Sequence, residues 1–330
     1  MVRLAAMTTA VLCVLASGCG DATPAAVSDA GDETFDAISD GAMDGGATPD
    51  ARADVRDAPA VRDAPDVPFD DGVQPYTEAI CNDASNLDDL AAAWTDTPVG
   101  LRDAVHGIVA RRYPMAAAVL TTQDDAQLAL WFTPARSFRD VLGAFATGVR
   151  EAGRARDAAM SGSVMVFRLR DDLVLPLRPV EGFARREILT LHAAPGIDPY
   201  VDSYLLGPAG AEGFESVLED LVQDTHALAA KFCTRDAIAP GAHVAARDAV
   251  LTMMYYVELY LMRARTSHPG VYAAVIADPA YRRLLKLAWQ RAEFWLDATD
   301  GHPELAVRDR EIEVWTYAPA NLLEMVRLPE

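Results

Sequence analysis

The sequence has few of the positive charges with which proteins bind nucleic acids. Its 330 residues include 29 lysines and arginines against 49 aspartates and glutamates, which gives a formal net charge of −20. Lysine occurs only at Lys231 and Lys286, and the arginines form no basic cluster. Because affinity for DNA or RNA rests largely on neutralising phosphates, this composition argues against a nucleic-acid partner.

The sequence also lacks the short motifs of several large enzyme classes. It contains no GxSxG nucleophile elbow, no phosphate-binding GxxxxGK[ST], no GxGxxG, no HExxH and no CxxC pair. These absences lower the expectation of a nucleophilic hydrolase, a nucleotide enzyme or a zinc protease. A triad assembled from distant residues remains compatible with them.

The hydrophobic run at the start of the chain is too short to span a membrane. Arg3 is followed by an uncharged stretch over residues 4–17, rich in Ala, Leu, Val and Met. A membrane-spanning helix needs roughly 20 apolar residues, whereas a positive start and a shorter apolar run ending in small residues are typical of a secretory signal peptide. We therefore assign residues 1–18 to a signal peptide and expect export.

The end of this run, Leu15-Ala16-Ser17-Gly18-Cys19, resembles the lipobox of bacterial lipoproteins, with Ala16 where that family usually has leucine. The resemblance implies that Cys19 is lipidated and becomes the mature N-terminus, and several acyl chains hold a membrane far more firmly than one. Gly20 is not the aspartate that often keeps lipoproteins at the inner membrane, which favours the outer membrane. The alternative is ordinary signal cleavage, which releases a soluble periplasmic or secreted protein.

Residues 19–75 have the composition of a disordered tether. They are mostly Asp, Ala, Gly and Pro, and residues 20–74 carry fourteen acids against three arginines, a net charge of −11. Such a segment buries too little apolar surface to offset its conformational entropy. Repulsion between its like charges extends the chain, so we interpret residues 19–75 as a solvated stalk after the lipidated Cys19.

Two cysteines remain once Cys13, in the signal peptide, and Cys19 are set aside. Cys81 and Cys233 are the only pair that an exported domain offers to an oxidising compartment. A disulfide between them would close a long loop and stabilise the fold by up to about 5 kcal/mol. The alternative is two separate buried thiols, because free cysteine packs as a small hydrophobic residue.

Residues 76–330 suffice for a single globular domain, and the first part of it mixes helical and strand patterns. Helices are predicted over residues 85–94, where Ser85 and Asp88 resemble a capping box, then from Thr97-Pro98 to about 112, and over 138–155. Short apolar runs predict a small, mostly antiparallel sheet within about 115–192. Its predicted strands are 115–122, 126–132, 163–169, 173–177 and 186–192.

The second part, about 198–308, has a helical pattern. Helices are predicted over 212–231, 240–265, 269–276 and 279–299, with prolines placed at helix starts. A last strand over 311–318 and a helical turn over 319–326 follow. The predicted fold class is therefore α+β, with a sheet part near the N-terminus and a helical part near the C-terminus sharing one core.

Two glutamates stand out on apolar helix faces. Glu258 is the one charge in VLTMMYYVELYLM, residues 250–262, and it shares a helical face with Leu251, Met254, Tyr255 and Met262. Glu293 lies on the face of Leu285, Trp289, Ala292 and Leu296. An unpaired buried carboxylate is costly, so each glutamate should be paired, protonated or functional.

If the two helices pack together, Glu258 and Glu293 converge, and paired carboxylates beside aromatic rings are typical of glycoside hydrolases. The rings available to stack on sugars are Tyr255, Tyr256, Trp289, Trp295 and Trp315. In the alternative, each glutamate accepts hydrogen bonds from an arginine or a tyrosine in a helical core. The arginines near enough in sequence are Arg247, Arg263, Arg282 and Arg291.

The histidines are too scattered to predict a metal site. His226, His243, His268 and His302 lie apart, and neither glutamate begins the ExxH pair of carboxylate-bridged metal bundles. Asp297, Asp300 and Glu304 fit no calcium-loop spacing, so they are interpreted as a solvated turn. No cofactor and no metal are expected.

The sequence thus favours a lipid-anchored cell-envelope protein whose domain binds a partner rather than catalysing a reaction. The expected contacts are the membrane, through the lipid, and an unidentified envelope protein or glycan. The alternative is an envelope hydrolase, acting on glycans through Glu258 and Glu293 as catalytic residues.

Overall fold

The structure, a computed structural model, describes residues 76–81, 86–132 and 135–328. These residues belong to one compact unit. The predicted signal peptide, Cys19 and the tether lie outside the described residues, and so does the predicted capping residue Ser85.

The described residues are mostly helical. The α-helices are α1 Asp88–Ala93, α2 Pro98–Arg111, α3 Ala117–Leu120, α4 Asp125–Phe132, α5 Phe138–Met160, α6 Phe214–Cys233, α7 Ala246–Ser267, α8 Pro269–Ala277, α9 Pro279–Ala298, α10 Asp309–Thr316 and α11 Pro319–Val326. Turns of 3₁₀ helix lie at Pro114–Ala116, Arg185–Thr190, Pro208–Ala211, Arg235–Ala237 and Pro303–Leu305, and a π-helical turn lies at Val201–Leu206.

Helix starts follow the expected capping chemistry. The Thr97 side chain accepts from the Gly100 N–H at 3.1 Å ahead of α2. At the start of α5, Ser137 and Asp140 form a reciprocal capping box. Both caps satisfy backbone donors that a helix start leaves without partners.

The core is built around α7. Helices α5, α6 and α7 pack side by side, and α9, α10 and α11 cover the remaining sides of α6 and α7. Every residue from Val250 to Leu261 is buried, which is typical of a helix surrounded on all sides by protein. Glu258 therefore lies in the middle of the molecule.

The sheet is smaller than the sequence predicted. Strands β1 Met165–Arg170 and β2 Leu173–Leu177 pair antiparallel, with Met165 opposite Leu177 and Phe167 opposite Leu175. These two strands confirm the predictions over 163–169 and 173–177. No third strand joins them within the described residues.

The strands predicted at 115–122 and 126–132 are wrong, because this segment forms the 3₁₀ turn after Tyr113 and helices α3 and α4. Leu128 and Phe132, four residues apart, are buried, whereas Leu130 between them is 59% exposed. A strand would place all three side chains on one face. The burial follows a helical period, in keeping with the high helix propensity of Ala, Leu and Gln.

The strand predicted at 311–318 is wrong for the same reason. Ile312 and Thr316 are buried and Val314 is 53% exposed, so the segment packs as helix α10. The strand predicted at 186–192 is instead the 3₁₀ turn Arg185–Thr190, which buries Ile188. The prediction of an α+β domain with a sheet over 115–192 is thus corrected to a mostly helical domain with one hairpin.

A disulfide joins the start of the described chain to the end of α6. Cys81 and Cys233 are bonded, with their Cα atoms 5.4 Å apart. This is the pairing that the sequence favoured over two separate thiols, and it closes a loop across 152 positions of sequence.

Residues 76–81, here called the N-terminal strap, make further contacts with the core. The Tyr76 ring meets Phe294 of α9 edge-on at 5.9 Å, and the Arg170 guanidinium lies 5.5 Å from the centre of the same ring. Glu78 pairs with Arg291 of α9, where Arg291 Nε donates to Oε2 at 2.8 Å. The strap is therefore fixed to α6 by a covalent bond and to α9 by an ion pair.

Candidate functional site

Glu258 is completely buried and has no hydrogen-bond partner. Its exposed fraction is 0%, and neither carboxylate oxygen is within hydrogen-bonding distance of a donor. Burial, and then the nearby Glu324, raise the pKa of Glu258 well above its ordinary value. Because an ionised carboxylate in this position would be both desolvated and unpaired, Glu258 is held in its neutral form.

Glu293 lies on α9 in a different setting. It is half-buried and accepts a hydrogen bond from Trp289 Nε1 at 2.8 Å. Burial, with a smaller contribution from Asp297, raises the pKa of Glu293 to about 6 against the opposing effect of the Trp289 bond. Its ionisation therefore takes place in the mildly acidic range.

Tyr317, between α10 and α11, has a pKa that both glutamates affect. Burial raises the pKa of Tyr317, and Glu293 and Glu258 are among the carboxylates that raise it further. The helices of the two glutamates do pack together, as α7 and α9. Tyr317 was not singled out from the sequence, because its segment was predicted as a strand.

The four arginines expected to serve the two glutamates pair elsewhere. Arg247 bonds Asp309, Arg263 bonds Glu187, Arg282 donates to the Ile276 carbonyl and Arg291 bonds Glu78. The expected hydrogen bonds to Glu258 are absent and those to Glu293 come from Trp289 alone among the described residues. The reason is geometric, since the apolar residues that surround Glu258 on α7 keep long polar side chains away from it.

The aromatic rings expected to stack on sugars are core residues. Tyr255, Tyr256, Trp289 and Trp295 are each at most 1% exposed, and the Tyr255 ring packs 6.0 Å from that of Trp315. The surroundings of Glu258 are a continuous core rather than the wall of a cleft.

A buried histidine–aspartate pair that the sequence did not reveal lies beside α7. His192 Nε2 donates to Asp198 Oδ2 at 2.8 Å, and the Tyr256 hydroxyl donates to the same oxygen at 2.6 Å. His192 Nδ1 accepts from the Ala194 N–H at 3.1 Å. Both ring nitrogens are occupied and both side chains are 0% exposed, so this pair has no free nitrogen to act as a base.

A second buried polar cluster surrounds Arg291. Its Nη2 donates to His226 Nδ1 at 3.0 Å, and His226 Nε2 donates to the Arg168 carbonyl at 2.9 Å. Burial and the charge of Arg291 lower the pKa of His226 to about 3. Burial disfavours the Glu78 carboxylate, but Arg291 outweighs it and lowers the pKa of Glu78. The cluster thus consists of a neutral His226 beside the buried ion pair of Arg291 and Glu78.

Asp157 fastens the hairpin to the helices. Its Oδ2 accepts from the Arg168 N–H of β1 at 3.2 Å and from Gln223 Nε2 of α6 at 3.0 Å. Burial raises the pKa of Asp157 to about 7. No local pattern in the sequence points to this residue, since its partners are 11 and 66 positions away.

Three further histidines make ordinary polar contacts. His243 bonds the Pro303 carbonyl, His268 bonds Glu187 and His302 bonds Glu304. Within the ranges that the structure describes, no group of three or more His, Cys, Asp or Glu side chains is arranged to hold a metal ion.

A groove of about 470 Å³ opens on the surface beside the first half of α5. Its other wall is the segment after the Arg235–Ala237 turn, and its lining includes Phe132, Ala135, Arg139, Gly143, Ala144 and Ala239. Asp140 also borders it, but this carboxylate accepts from the backbone N–H groups of Arg136 and Ser137 at the start of the helix.

None of the described helices is both long enough and apolar enough to cross a membrane.

No protein family, no curated protein and no solved structure matches this chain.

Proposed function

We propose that this chain is an exported, lipid-anchored protein of the bacterial cell envelope whose globular part binds a partner. The export signal and the anchor rest on the resemblance of residues 15–19 to a lipobox. The outer membrane is the favoured location, and the partner is an envelope protein or a glycan.

The burial of Glu258 is the observation that supports binding over catalysis. A general acid or nucleophile must come within hydrogen-bonding distance of its substrate, whereas Glu258 is 0% exposed and enclosed by the apolar side chains of α7. Glu293 is partly exposed and has a pKa of about 6, but glycoside hydrolysis needs two carboxyl groups on one sugar bond. The hydrolase therefore remains the second candidate.

The anchor is tested with the full chain produced in a bacterium that is fed a radiolabelled fatty acid. We expect label on the wild-type protein and its recovery with the outer membrane, and loss of label with release into the soluble fraction for Cys19→Ala. Cys13→Ala is the matched control, since it removes a cysteine from the signal peptide without touching the acceptor. Label that survives Cys19→Ala would overturn the anchor.

The choice between binding and hydrolysis is tested with a chain that begins at Gly20 and with purified cell-wall glycan. Saturable co-sedimentation without release of reducing ends supports a glycan-binding role. Release of reducing ends that is lost in Glu293→Gln would instead support the hydrolase. Absence of both effects directs the search to a protein partner.

A further inference from the structure

The N-terminal strap lies on the core in the way that a bound peptide lies on its receptor. It belongs to no helix or strand, and Tyr76, Thr77 and Glu78 each contact side chains of the core. Arg170 Nη1 donates to the Thr77 carbonyl at 2.6 Å, and Arg291 donates to both oxygens of Glu78, from Nε at 2.8 Å and from Nη2 at 3.2 Å. Extended peptides are recognised in this way, through main-chain hydrogen bonds together with contacts to particular side chains.

The surface beneath the strap, here called the strap bed, is supplied by elements of the core. Arg291 and Phe294 lie on α9, His226 lies on α6, Arg170 ends β1 and Tyr113 follows α2. Helices α6 and α9 and strand β1 contact one another directly. The bed is therefore positioned by contacts in which the strap takes no part.

Arg291 is the charged centre of the strap bed. Its side chain is 1% exposed, and within the described residues Glu78 is the carboxylate with which it forms an ion pair. Nη2 also donates to Tyr113 and His226, whereas the buried Nη1 has no hydrogen-bond partner. A buried guanidinium without a counterion is strongly unfavourable. The bed therefore favours an occupant that brings a carboxylate, and Arg291 has one more donor than Glu78 uses.

The disulfide keeps this occupant in place. Cys81, three positions after Glu78 in the sequence, is bonded to Cys233 at the end of α6 and is partly exposed. A dithiol reductant converts the disulfide into two thiols and is itself oxidised to a disulfide, so two electrons and two protons pass from the reductant to Cys81 and Cys233. After this step only noncovalent contacts retain the strap.

We propose that the strap bed binds a peptide segment of a partner protein, with an aromatic residue two positions before a glutamate, and that the strap blocks this site while the disulfide is intact. The glutamate of the partner pairs with Arg291, its aromatic ring takes the place of Tyr76 against Phe294, and the carbonyl between them accepts from Arg170. This inference names the site and the partner class of the proposed binding function, and it rests on that proposal for the natural occupant.

The disulfide determines how often the strap bed is accessible. A segment of the same chain competes with an effective concentration on the order of millimolar, so a strap held by noncovalent contacts alone can be displaced by a partner that binds more tightly. With Cys81 bonded to Cys233, Glu78 stays within three residues of a fixed point. The apparent affinity for a partner then falls in proportion to the fraction of molecules with an open bed.

Binding is tested with a labelled peptide and a chain that begins at Gly20, which carries no lipid. The peptide has the sequence of residues 76–80, Tyr-Thr-Glu-Ala-Ile, with an uncharged dye at one end and an amide at the other, so that the glutamate is its one charged group. The matched control peptide has glutamine in place of this glutamate. Fluorescence anisotropy is measured with the oxidised wild type, with the wild type after a dithiol reductant, and with Cys81→Ala.

We expect the reduced wild type to bind the glutamate peptide about tenfold or more tightly than the oxidised wild type does. Cys81→Ala binds it equally with and without the reductant, which separates loss of the disulfide from other effects of the reductant. The glutamine peptide binds more weakly to both opened chains. Equal affinities of the oxidised and reduced wild type, equal affinities for the two peptides, or no binding to the opened chains would overturn the proposal.

Hydrogen exchange measures the opening without a ligand and without a variant. After reduction we expect the amides of residues 77–81 to exchange faster while α6 and α9 keep their protection. Unchanged protection of the strap, or loss of protection in α6 and α9 as well, would contradict a release confined to the strap. Fatty-acid labelling and co-sedimentation with glycan test the anchor and glycan binding separately, so a peptide that fails to bind overturns the strap bed and leaves those results unaffected.

Discussion

At the scale of single residues, the two enclosed glutamates Glu258 and Glu78 differ in whether the carboxylate has a partner. Glu258 is enclosed without a partner, whereas Glu78, equally enclosed, is paired with Arg291. The sequence identified Glu258 as unusual because it is the one charge in an apolar helix. It gave no sign of Glu78, whose partner is 213 positions away.

Glu258→Gln removes a titratable carboxyl group and keeps the size of the side chain. Below about pH 4.5, the ordinary pKa of glutamate, the carboxyl is neutral in folded and unfolded chains alike. Above it the unfolded chain releases a proton that the folded protein retains, so the wild type loses about 1.4 kcal/mol of unfolding free energy per pH unit. We expect the stability of Glu258→Gln relative to wild type to rise with pH.

Urea unfolding at a series of pH values measures this difference. The unfolding free energy of the wild type continues to fall with pH up to the folded-state pKa of Glu258, and above that pH this contribution is constant. Glu293→Gln is the comparison, and its difference from wild type should stop growing near pH 6. A stability difference for Glu258→Gln that is constant across pH would show that Glu258 is ionised in the fold.

Glu78→Gln tests the buried ion pair. It leaves the Arg291 charge, 1% exposed, without its counterion, and breaking such a pair costs roughly 3–5 kcal/mol. We expect a large fall in the midpoint of urea unfolding. Asp89→Asn, which breaks the exposed pair of Asp89 and Arg111, should leave the midpoint almost unchanged; equal effects of the two variants would contradict the assignment.

Helices with a clear boundary signal were predictable, and short apolar segments were not. Thr97-Pro98 and Ser137 mark α2 and α5, and the structure confirms both starts. By contrast, α4 and α10 were taken for strands, because a run of eight apolar and polar residues fits either period. Only the exposure of Leu130 and Val314 between buried neighbours distinguishes the two.

Two glycines of helix α5 allow the cost of overpacking to be compared with the gain in helix propensity when glycine is replaced by alanine. Gly148→Ala places a methyl group against the Phe132 ring, which is 1% exposed, and overpacking costs about 1–3 kcal/mol. Gly143→Ala on the same helix meets nothing and should stabilise the fold by about 0.5–1 kcal/mol. Thermal unfolding should therefore move in opposite directions for the two variants, and a common direction would refute this account of α5.

At the scale of the whole molecule, the Cys81–Cys233 disulfide links distant parts of the chain. The sequence predicted this pair because Cys13 and Cys19 were assigned to the signal peptide and the lipid anchor. A periodic pattern of apolar and polar residues could not have located Cys81 beside Cys233, because the strap has no regular structure and its partners in the core are far along the chain. For the same reason the sequence did not predict how α7 and α9 enclose Glu258. Contacts between distant segments follow from packing, which a local pattern does not contain.

Removal of the crosslink is expected to lower the stability of the entire domain. In the chain-entropy description a loop of this length contributes up to about 5 kcal/mol. The Cys81→Ala, Cys233→Ala double variant should lose several kcal/mol of unfolding free energy in urea. Wild type treated with a thiol reductant should approach the double variant, and an unchanged midpoint after confirmed reduction would mean that the other strap contacts suffice.

The strap also determines how the domain responds to tension. A pull applied through residues before Tyr76 is resisted first by the ring contact with Phe294 and the Glu78–Arg291 pair, and then by the covalent stop at Cys81. From there the force passes to the end of α6 and bypasses the residues between 81 and 233. Helices α1 to α5 therefore lie outside the path of the force, which runs through the chain after Cys233.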